Sequence, residues 1–259
     1  MDAREFYDEL GDDYDAMVSW EGRLAREEAF FRGIFEENGV ERVLDAACGT
    51  GMHAVAFARQ GRRSAGADLS PAMIAKAAEN ARTAGVSVEF RVAAFGELSQ
   101  RFPGRFDAVT CLGNSLPHLS DDASLSAALA DFAALLTPPG VLVIQNRNYD
   151  RVLRERLRFM PLSSRAEGDE DTLFLRITDF RAGSQGAEES IDFTIVILKK
   201  RGGSWSQSVR TTPLRAIRRA TLERALAAAG FASVRIFGSY ALAPFDAQGT
   251  GDLIAIAKK

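Results

Sequence analysis

A glycine-rich turn directly after a short apolar run is the segment with the clearest potential for chemistry. The run Val40–Ala47 predicts a buried strand, and Gly49 and Gly51 follow it in the sequence Cys-Gly-Thr-Gly. Glycine has no Cβ atom, so the backbone at such positions can approach a ligand closely. Asp45 places a carboxylate beside that approach. Because open α/β sheets bind ligands at the carboxyl ends of their strands, we predict a ligand site here.

Two further polar residues follow predicted strands and could act on a second molecule. Asn114 comes after a buried run ending at Leu112, and Arg147 comes just after Val141–Gln145. The amide oxygen of Asn114 could accept a hydrogen bond from an amine, and the guanidinium of Arg147 could clamp a carboxylate with two parallel hydrogen bonds. We therefore predict both as catalytic residues at the same sheet edge.

Each of these acceptor-side assignments has an alternative. Arg147 could instead belong to a solvated basic stretch with Arg151, Arg154, Arg156 and Arg158. His118 could serve as a base, but a structural hydrogen bond is the better expectation. Cys48 is expected to fill space and not to act as a nucleophile, since nothing near it in sequence would lower its pKa.

The elements that must position these residues alternate along the first part of the chain. The predicted strands are Val40–Ala47, Arg63–Asp68, Val86–Val92, Phe106–Leu112 and Val141–Gln145, with helical sequence between most of them. Such alternation predicts a parallel sheet with helices on both faces. After the helix Ala220–Ala229, two strands, Val234–Phe237 and Asp252–Ala257, have no helix between them and should pair antiparallel.

A different pattern interrupts this alternation. Thr172–Phe180, Ile191–Leu198 and Ser204–Thr212 predict three strands, separated by turns at Gly183–Gly186 and Gly202–Gly203. Consecutive strands joined by tight turns form antiparallel hairpins. The fold class predicted is therefore α/β, with a Rossmann-like, seven-stranded, mostly parallel sheet, an antiparallel C-terminal strand and an inserted antiparallel β subdomain.

These patterns divide the chain into two domains. Residues 1–150 and 213–259 are expected to form the ligand-binding α/β domain, in which helical residues 1–38 act as a lid. Residues 151–212 are expected to form a cap over the pocket that sets the size of its substrate.

The composition limits the possible partners and compartments. The chain has 259 residues and a formal net charge of -3, which does not favour nucleic-acid binding. Two cysteines are too few for a disulfide framework, and no apolar stretch is long enough for a membrane span. With His53 and His118 outside any ligand motif, we expect no metal site. A cytoplasmic protein is expected, and either a monomer or a small homo-oligomer is compatible with the sequence.

The ligand at the glycine turn is decided by the residues around it. The spacing Gly49-x-Gly51-x-x-Ala54 also satisfies the dinucleotide fingerprint, which is weak on its own. However, Asp45 would repel a pyrophosphate and favour a sulfonium and an ammonium group. Asp68, at the end of the second strand, could accept from both ribose hydroxyls. These features favour S-adenosyl-L-methionine over a nicotinamide cofactor.

The same segments carry a family resemblance. Val43–Gly51 followed by Ala67–Met73 resembles the first two motifs of class I S-adenosylmethionine-dependent methyltransferases, a resemblance that covers 1–150 and 213–259. More narrowly, Cys111–Leu119 and Asn146–Asp150 resemble the glycine N-methyltransferase and glycine/sarcosine methyltransferase family. The resemblance implies N-methylation of a small amino acid or amine, with S-adenosyl-L-methionine as the cofactor.

The resemblance also implies roles for residues of the cofactor site. It implies backbone contacts from Ala47, Gly49, Gly51 and Leu112, a ribose contact from Asp68, adenine contacts from Met73, Ala94 and Phe95, a grip on the donor carboxylate from Arg23, and lid tyrosines at Tyr7 and Tyr14. The chain departs from the family at Ala94, which cannot accept from the adenine amine, and at Gln145–Asn146, which replaces an Asp-His pair. Met73 and Phe95 could alternatively be core residues.

Other functions remain possible on the sequence. The same reaction could act on another small metabolite, through oxygen or nitrogen, with Arg147 serving only the fold. A nucleotide-binding oxidoreductase or a binding protein without catalytic activity is the alternative from a different class.

Overall fold

A seven-stranded sheet is the larger layer of the protein in a computed structural model that describes residues 1–11, 13–181 and 189–259. Its strands are β1 (Arg42–Ala46), β2 (Arg63–Asp68), β3 (Val88–Val92), β4 (Phe106–Cys111), β5 (Leu136–Arg147), β10 (Ser233–Phe237) and β11 (Asp252–Lys258). The strand order is β10-β11-β5-β4-β1-β2-β3. β1 to β5 pair parallel, whereas β11 pairs antiparallel with both β5 and β10. The predicted fold class is confirmed.

Helices cover both faces of this sheet. They are α1 (Ala3–Leu10), α2 (Asp13–Val18), α3 (Trp20–Glu37), α4 (Met52–Arg59), α5 (Pro71–Ala84), α6 (Leu98–Arg101), α7 (Asp122–Leu135), α8 (Tyr149–Glu155) and α9 (Arg219–Ala228). Buried side chains of α7 and α9 pack on one side of the central strands, and those of α3 and α4 pack on the other. The central strands are therefore mostly apolar, as is typical of strands buried on both faces.

The start of α5 shows how local sequence fixes the edge of the sheet. The Ser70 hydroxyl accepts from the backbone N–H of Met73 at 3.0 Å, and Pro71 occupies the first turn. Serine is a preferred N-cap residue, and proline suits the first helical position. Gly85 ends the helix at a φ of 68°, a backbone conformation that favours glycine. The helix thus begins immediately beside the end of β2.

The second sheet has four antiparallel strands where the sequence predicts three. They are β6 (Ser163–Glu167), β7 (Glu170–Arg181), β8 (Ser190–Arg201) and β9 (Ser204–Arg215). β6 is a short, mostly exposed edge strand without apolar alternation, which explains why it escapes prediction. β9 continues to Arg215, beyond the predicted end at Thr212. The predicted turn Gly183–Gly186 lies outside the described residues.

The N-terminal helices connect the two sheets. Phe6 and Leu10 of α1 and Met17 of α2 pack in one cluster with Met73 of α5 and with Phe174 of β7. The four-stranded sheet is thereby held over the carboxyl ends of the parallel strands. Among the described helices, none is long and apolar enough to cross a membrane.

Candidate functional site

One cavity lies at the carboxyl ends of β1 and β2, under α1. We call it the glycine-turn cavity. Its lining includes predicted residues from four segments, namely Tyr14, Ala47, Gly49, Asp68, Ala94 and Phe95. Because β1, β2 and β3 are parallel neighbours, residues that follow them meet at one edge of the sheet.

Asp68 is held rigidly against the glycine turn. One of its carboxylate oxygens accepts from the backbone N–H of Gly49 at 2.8 Å, and the other accepts from that of Ser70 at 2.9 Å. Burial raises the pKa of Asp68, although these backbone hydrogen bonds partly offset the effect. The carboxylate therefore cannot turn away from the cavity without breaking both contacts.

The two glycines of the turn have different roles. Gly49 has a φ of 54° and lines the cavity, where a Cβ atom would come within 3.6 Å of the Tyr14 ring. Gly51 has a φ of 76°, but a Cβ atom there would lie 2.7 Å from the Cβ of Ala77 and 2.8 Å from the ring of Phe90. Gly51 therefore allows close packing of the turn against α5 and β3, and it does not line the glycine-turn cavity.

Asp45 lies behind the turn as a partly unsatisfied carboxylate. The Thr110 hydroxyl donates to Oδ1 at 2.8 Å, while the buried Oδ2 has no hydrogen-bond partner among the described residues. Burial raises the pKa of Asp45 to about 6, against smaller effects of His53 and Arg23 that lower it. A buried acceptor without a donor is costly, so this site favours a cation.

Five predicted cofactor residues do not line the glycine-turn cavity, namely Arg23, Asp45, Gly51, Met73 and Leu112. Met73 is only 1% exposed and packs with α1 and α2, as the alternative core interpretation has it. Leu112 is buried among side chains of α3 and β5. Leu69, which sequence reasoning missed, lines the cavity and is partly exposed. Its position after Asp68 is the signal that could have indicated it.

Arg23 belongs to a buried ionic network instead of standing free. Its Nε donates to Glu27 at 2.9 Å, and the other oxygen of Glu27 lies 2.6 Å from Nε2 of His53. Burial alone would raise the pKa of Glu27, but the hydrogen bonds and charges of His53 and Arg23 lower it overall. Any ligand carboxylate that reaches Arg23 must share it with Glu27.

A second cavity lies between β5, the N-terminal helices and the four-stranded sheet. We call it the arginine cavity. Its polar lining comprises Arg23, Arg26, Glu27, Asn114, Gln145, Arg147, Arg176, Tyr240 and Asp252. Tyr7, Tyr14 and His118 line both cavities, so the two meet at these three side chains.

His118 is a neutral side chain at this junction. Its Nε2 is hydrogen-bonded to the Tyr7 hydroxyl at 3.1 Å, and its buried Nδ1 has no partner in the described structure. Burial lowers the pKa of His118 to about 4 and raises that of Tyr7. The geometry therefore supports the expected structural hydrogen bond and disfavours a strong base.

Asn114 has both ends of its amide engaged. Its oxygen accepts from the backbone N–H of Arg147 at 2.9 Å, and its nitrogen donates to the Tyr149 hydroxyl at 2.9 Å. It has a φ of 66°, a region that Asn tolerates better than most residues. The prediction had this oxygen accepting from an amine, whereas in the structure it fixes the chain at Arg147.

Arg147 is separated from the solvated arginines that follow it. Its Nη1 lies 3.4 Å from the Thr178 hydroxyl of β7, and burial lowers its pKa. Arg151, Arg154 and Arg158 instead form exposed ion pairs with neighbouring carboxylates. The structure thus favours a role inside the cavity over membership of the basic surface stretch.

Comparison with known proteins identifies the part of the chain that carries the glycine turn. Residues 43–140 match the family model for a methyltransferase domain. The matched region spans both Asp45 and Asp68 and ends within β5, so it includes most of the glycine-turn cavity.

Curated relatives match a longer part of the chain than the family model does. The chain is 39% identical over 154 residues to a glycine/sarcosine N-methyltransferase of Halorhodospira halochloris, covering 58% of this chain and 56% of that protein. It is 37% identical over 150 residues to a glycine/sarcosine N-methyltransferase of Parasynechococcus marenigrum (strain WH8102), covering 58% and 53%. The chain thus spans about half the length of the curated relatives it matches.

A solved structure extends the likeness to the whole fold. An S-adenosylmethionine-dependent methyltransferase from Clostridium acetobutylicum ATCC 824 superposes with a TM-score of 0.77, covering 97% of this chain and 98% of that one. The sequence identity is 18%, so the likeness concerns the fold alone. The superposed part includes the four-stranded sheet as well as the seven-stranded sheet.

Proposed function

We propose that this protein is an S-adenosyl-L-methionine-dependent N-methyltransferase that acts on a small amine bearing a carboxylate, as glycine and sarcosine do. The observation that carries the proposal is the meeting of two cavities at Tyr7, Tyr14 and His118. One cavity has the carboxylate of Asp68 and the other has the guanidinium of Arg147. The names of the relatives that match over half of the chain support the same chemistry.

The glycine-turn cavity fits the methyl donor. Asp68 offers a fixed carboxylate for the ribose hydroxyls, while Leu69 and Phe95 offer apolar surface for an adenine. The unpartnered oxygen of Asp45 faces no protein donor and suits the positive charges of a methionine group. A nicotinamide dinucleotide would instead bring its pyrophosphate toward two buried carboxylates, which is unfavourable.

S-adenosyl-L-methionine supplies a methyl group already activated by the sulfonium sulfur. In the transfer, the lone pair of the neutral acceptor nitrogen forms a bond to the methyl carbon as the carbon–sulfur bond breaks and its electron pair stays on sulfur. The resulting ammonium then loses a proton to solvent. The protein need only bring the groups into line and exclude water, and such proximity accounts for several kcal/mol.

The residues of the arginine cavity would perform this alignment. Arg147 binds the acceptor carboxylate, and Asn114 positions Arg147 through its backbone. Tyr7 and Tyr14 cover the junction with buried hydroxyl and ring surfaces. His118 stays neutral and orients the Tyr7 hydroxyl. It does not act as a strong base, and the proposed transfer does not require one. The four-stranded sheet acts as the substrate cap.

Calorimetry followed by an acceptor panel tests this proposal. S-adenosylhomocysteine and S-adenosylmethionine should bind, whereas NAD should not. Amines with and without a carboxylate are then offered together with a methyl-labelled donor. The proposal is wrong if NAD binds and the sulfur compounds do not, or if every acceptor that is methylated lacks a carboxylate.

A further inference from the structure

Arg176 is a half-buried arginine that lines the arginine cavity, and neither the sequence motifs nor the proposed mechanism uses it. It lies on β7, two residues before Thr178, whose hydroxyl contacts Arg147. Side chains two apart on a strand point to the same face. Arg176 and Arg147 therefore approach the same cavity from the cap and from the sheet edge.

The surroundings of Arg176 leave its charge uncompensated. One terminal nitrogen donates to the carbonyl of Pro161 at 3.0 Å, and its buried Nε has no hydrogen-bond partner in the part of the chain described. The neighbouring positions on β8 are apolar. Ile195 pairs with Arg176 and Phe193 pairs with Thr178, and both apolar residues line the cavity. Burial lowers the pKa of Arg176, and the charge of Arg147 lowers it further.

Other arginines on or beside the four-stranded sheet form ion pairs with nearby carboxylates. Arg158, beside the sheet, pairs with Asp179 at 2.9 Å, Arg165 with Glu167 at 3.3 Å and Arg181 with Asp192 at 2.6 Å. Two acids do line the arginine cavity, but each is engaged. Glu27 binds Arg23 and His53, and Asp252 accepts from the amide of Gln145 at 2.8 Å and lies opposite Arg147 in the sheet.

The guanidiniums of Arg147 and Arg176 repel each other and lose hydration in this cavity, and the charge of Asp252, which acts to raise the pKa of Arg147, offsets only part of this cost. Buried cations are retained in proteins when an anion pairs with them, and a guanidinium matches carboxylates and phosphates especially well. One carboxylate on Arg147 would leave the Nε of Arg176 unpartnered. A ligand with a second anionic group would satisfy both.

We infer that Arg176 is a specificity-determining residue, and that the preferred acceptor is an amine with two anionic groups, one held by Arg147 and the second by Arg176. This inference rests on the proposed function and narrows its substrate class. Glycine and sarcosine, with a single carboxylate each, would then be poor acceptors relative to an amino acid whose side chain carries a carboxylate or a phosphate.

The test compares acceptors of one and two negative charges on the wild type, R176Q, R176K and the control R165Q. Glycine, sarcosine, aspartate, glutamate and O-phosphoserine are offered with the labelled donor. For the wild type we expect kcat/KM to be at least tenfold higher for one of the dianionic acceptors than for glycine. R176Q should reduce that ratio at least tenfold by raising KM for the dianionic acceptor, and R176K should restore part of it.

Arg165 is exposed and ion-paired on β6, so R165Q should leave the ratio unchanged. Circular dichroism and S-adenosylhomocysteine affinity establish that R176Q is folded. If a carboxylated amine is methylated but R176Q lowers kcat/KM equally for glycine and the dianionic acceptor, or for neither, the inference about Arg176 is wrong and the proposed function stands. If no sulfur compound binds, the proposed function itself has failed.

Discussion

The two cavities are built in different ways, although they share three side chains. The glycine-turn cavity comes mainly from loops at the ends of parallel strands, and its main carboxylate is fixed by two backbone N–H groups. The arginine cavity takes its walls from the sheet edge, from α1 to α3 and from the cap strands. The guanidiniums of Arg147 and Arg176 are held by few contacts, of which the one from Arg147 to Thr178 is long.

This difference indicates how the two sites should respond to change. A site whose groups are satisfied by the backbone is preorganised and varies little with its surroundings. A site assembled from three parts of the chain depends on their relative placement, and a bound anion can pair with its guanidiniums. The first arrangement suits a common cofactor, whereas the second allows a new substrate with few substitutions.

The largest expected effect is on the acceptor side. Arg147→Ala removes one partner of a desolvated charge pair and should cost about 2–5 kcal/mol in kcat/KM for a carboxylated acceptor. Arg147→Lys keeps the charge but loses the planar fork, so it should be milder and act through KM. Steady-state kinetics measures both variants.

Donor affinity is the control for Arg147. S-adenosylhomocysteine should bind either variant within about twofold of the wild type, because Arg147 lines the arginine cavity and not the glycine-turn cavity. An unchanged kcat/KM in Arg147→Ala would contradict the proposed clamp between Arg147 and the acceptor carboxylate.

Asp68→Ala should give the reverse result with a smaller magnitude. Loss of the charge-assisted contact with the ribose should weaken S-adenosylhomocysteine binding by roughly 1.5–3 kcal/mol in calorimetry. The acceptor KM at saturating donor should change little. Wild-type affinity in a folded Asp68→Ala protein would show that the ribose lies elsewhere, and a thermal scan with the wild type alongside establishes folding.

Much of this comparison could be predicted from the sequence, and the glycine-turn cavity more completely than the arginine cavity. Asp45, Gly49 and Asp68 lie within single strand-and-turn segments, where a short pattern determines local structure. The hydrogen-bond partner of the Asn114 oxygen could not be predicted, because the backbone N–H of Arg147 lies 33 residues away in sequence. Arg176 carries no motif at all, and only the pairing of β7 with β8 brings it to the cavity.

The core positions show the same limit. A methionine at helical spacing fits both a cofactor contact and a core site, and only the packing of α1 against α5 decides for Met73. Similarly, Gly51 in a strand-to-helix turn fits both ligand approach and tight packing. The ring of Phe90, which lies 39 residues away in sequence, decides for packing.

A pH titration should sharpen the contrast further. The pKa of Asp45 is raised to about 6, so its carboxylate becomes protonated as the pH falls through that value. Donor binding brings positive charge and favours the ionised form. Affinity for S-adenosylmethionine should therefore be highest above pH 6 and fall roughly tenfold per pH unit well below it.

Asp45→Asn is the control for this titration. It should bind the donor more weakly at pH 7.5 and show a flatter profile between pH 5 and pH 7.5. The pKa of Asp68 is also raised, so any slope that remains in Asp45→Asn is assigned to that carboxylate. A flat wild-type profile over the same range would contradict a charged role for Asp45.

The smallest expected effect tests whether Asn114 positions Arg147 or acts on the amine. Tyr149 is fully buried and its hydroxyl accepts from the Asn114 amide, so it does not line either cavity. Tyr149→Phe removes that acceptor and should cost about 0.5–1.5 kcal/mol of stability in denaturant unfolding. If Asn114 works by holding the backbone at Arg147, its loosened amide should raise the acceptor KM by about two- to tenfold and leave kcat nearly intact. If its oxygen instead orients the amine, Tyr149→Phe should lower kcat and leave KM unchanged. An unaltered KM combined with a reduced kcat would therefore return Asn114 to the chemical step.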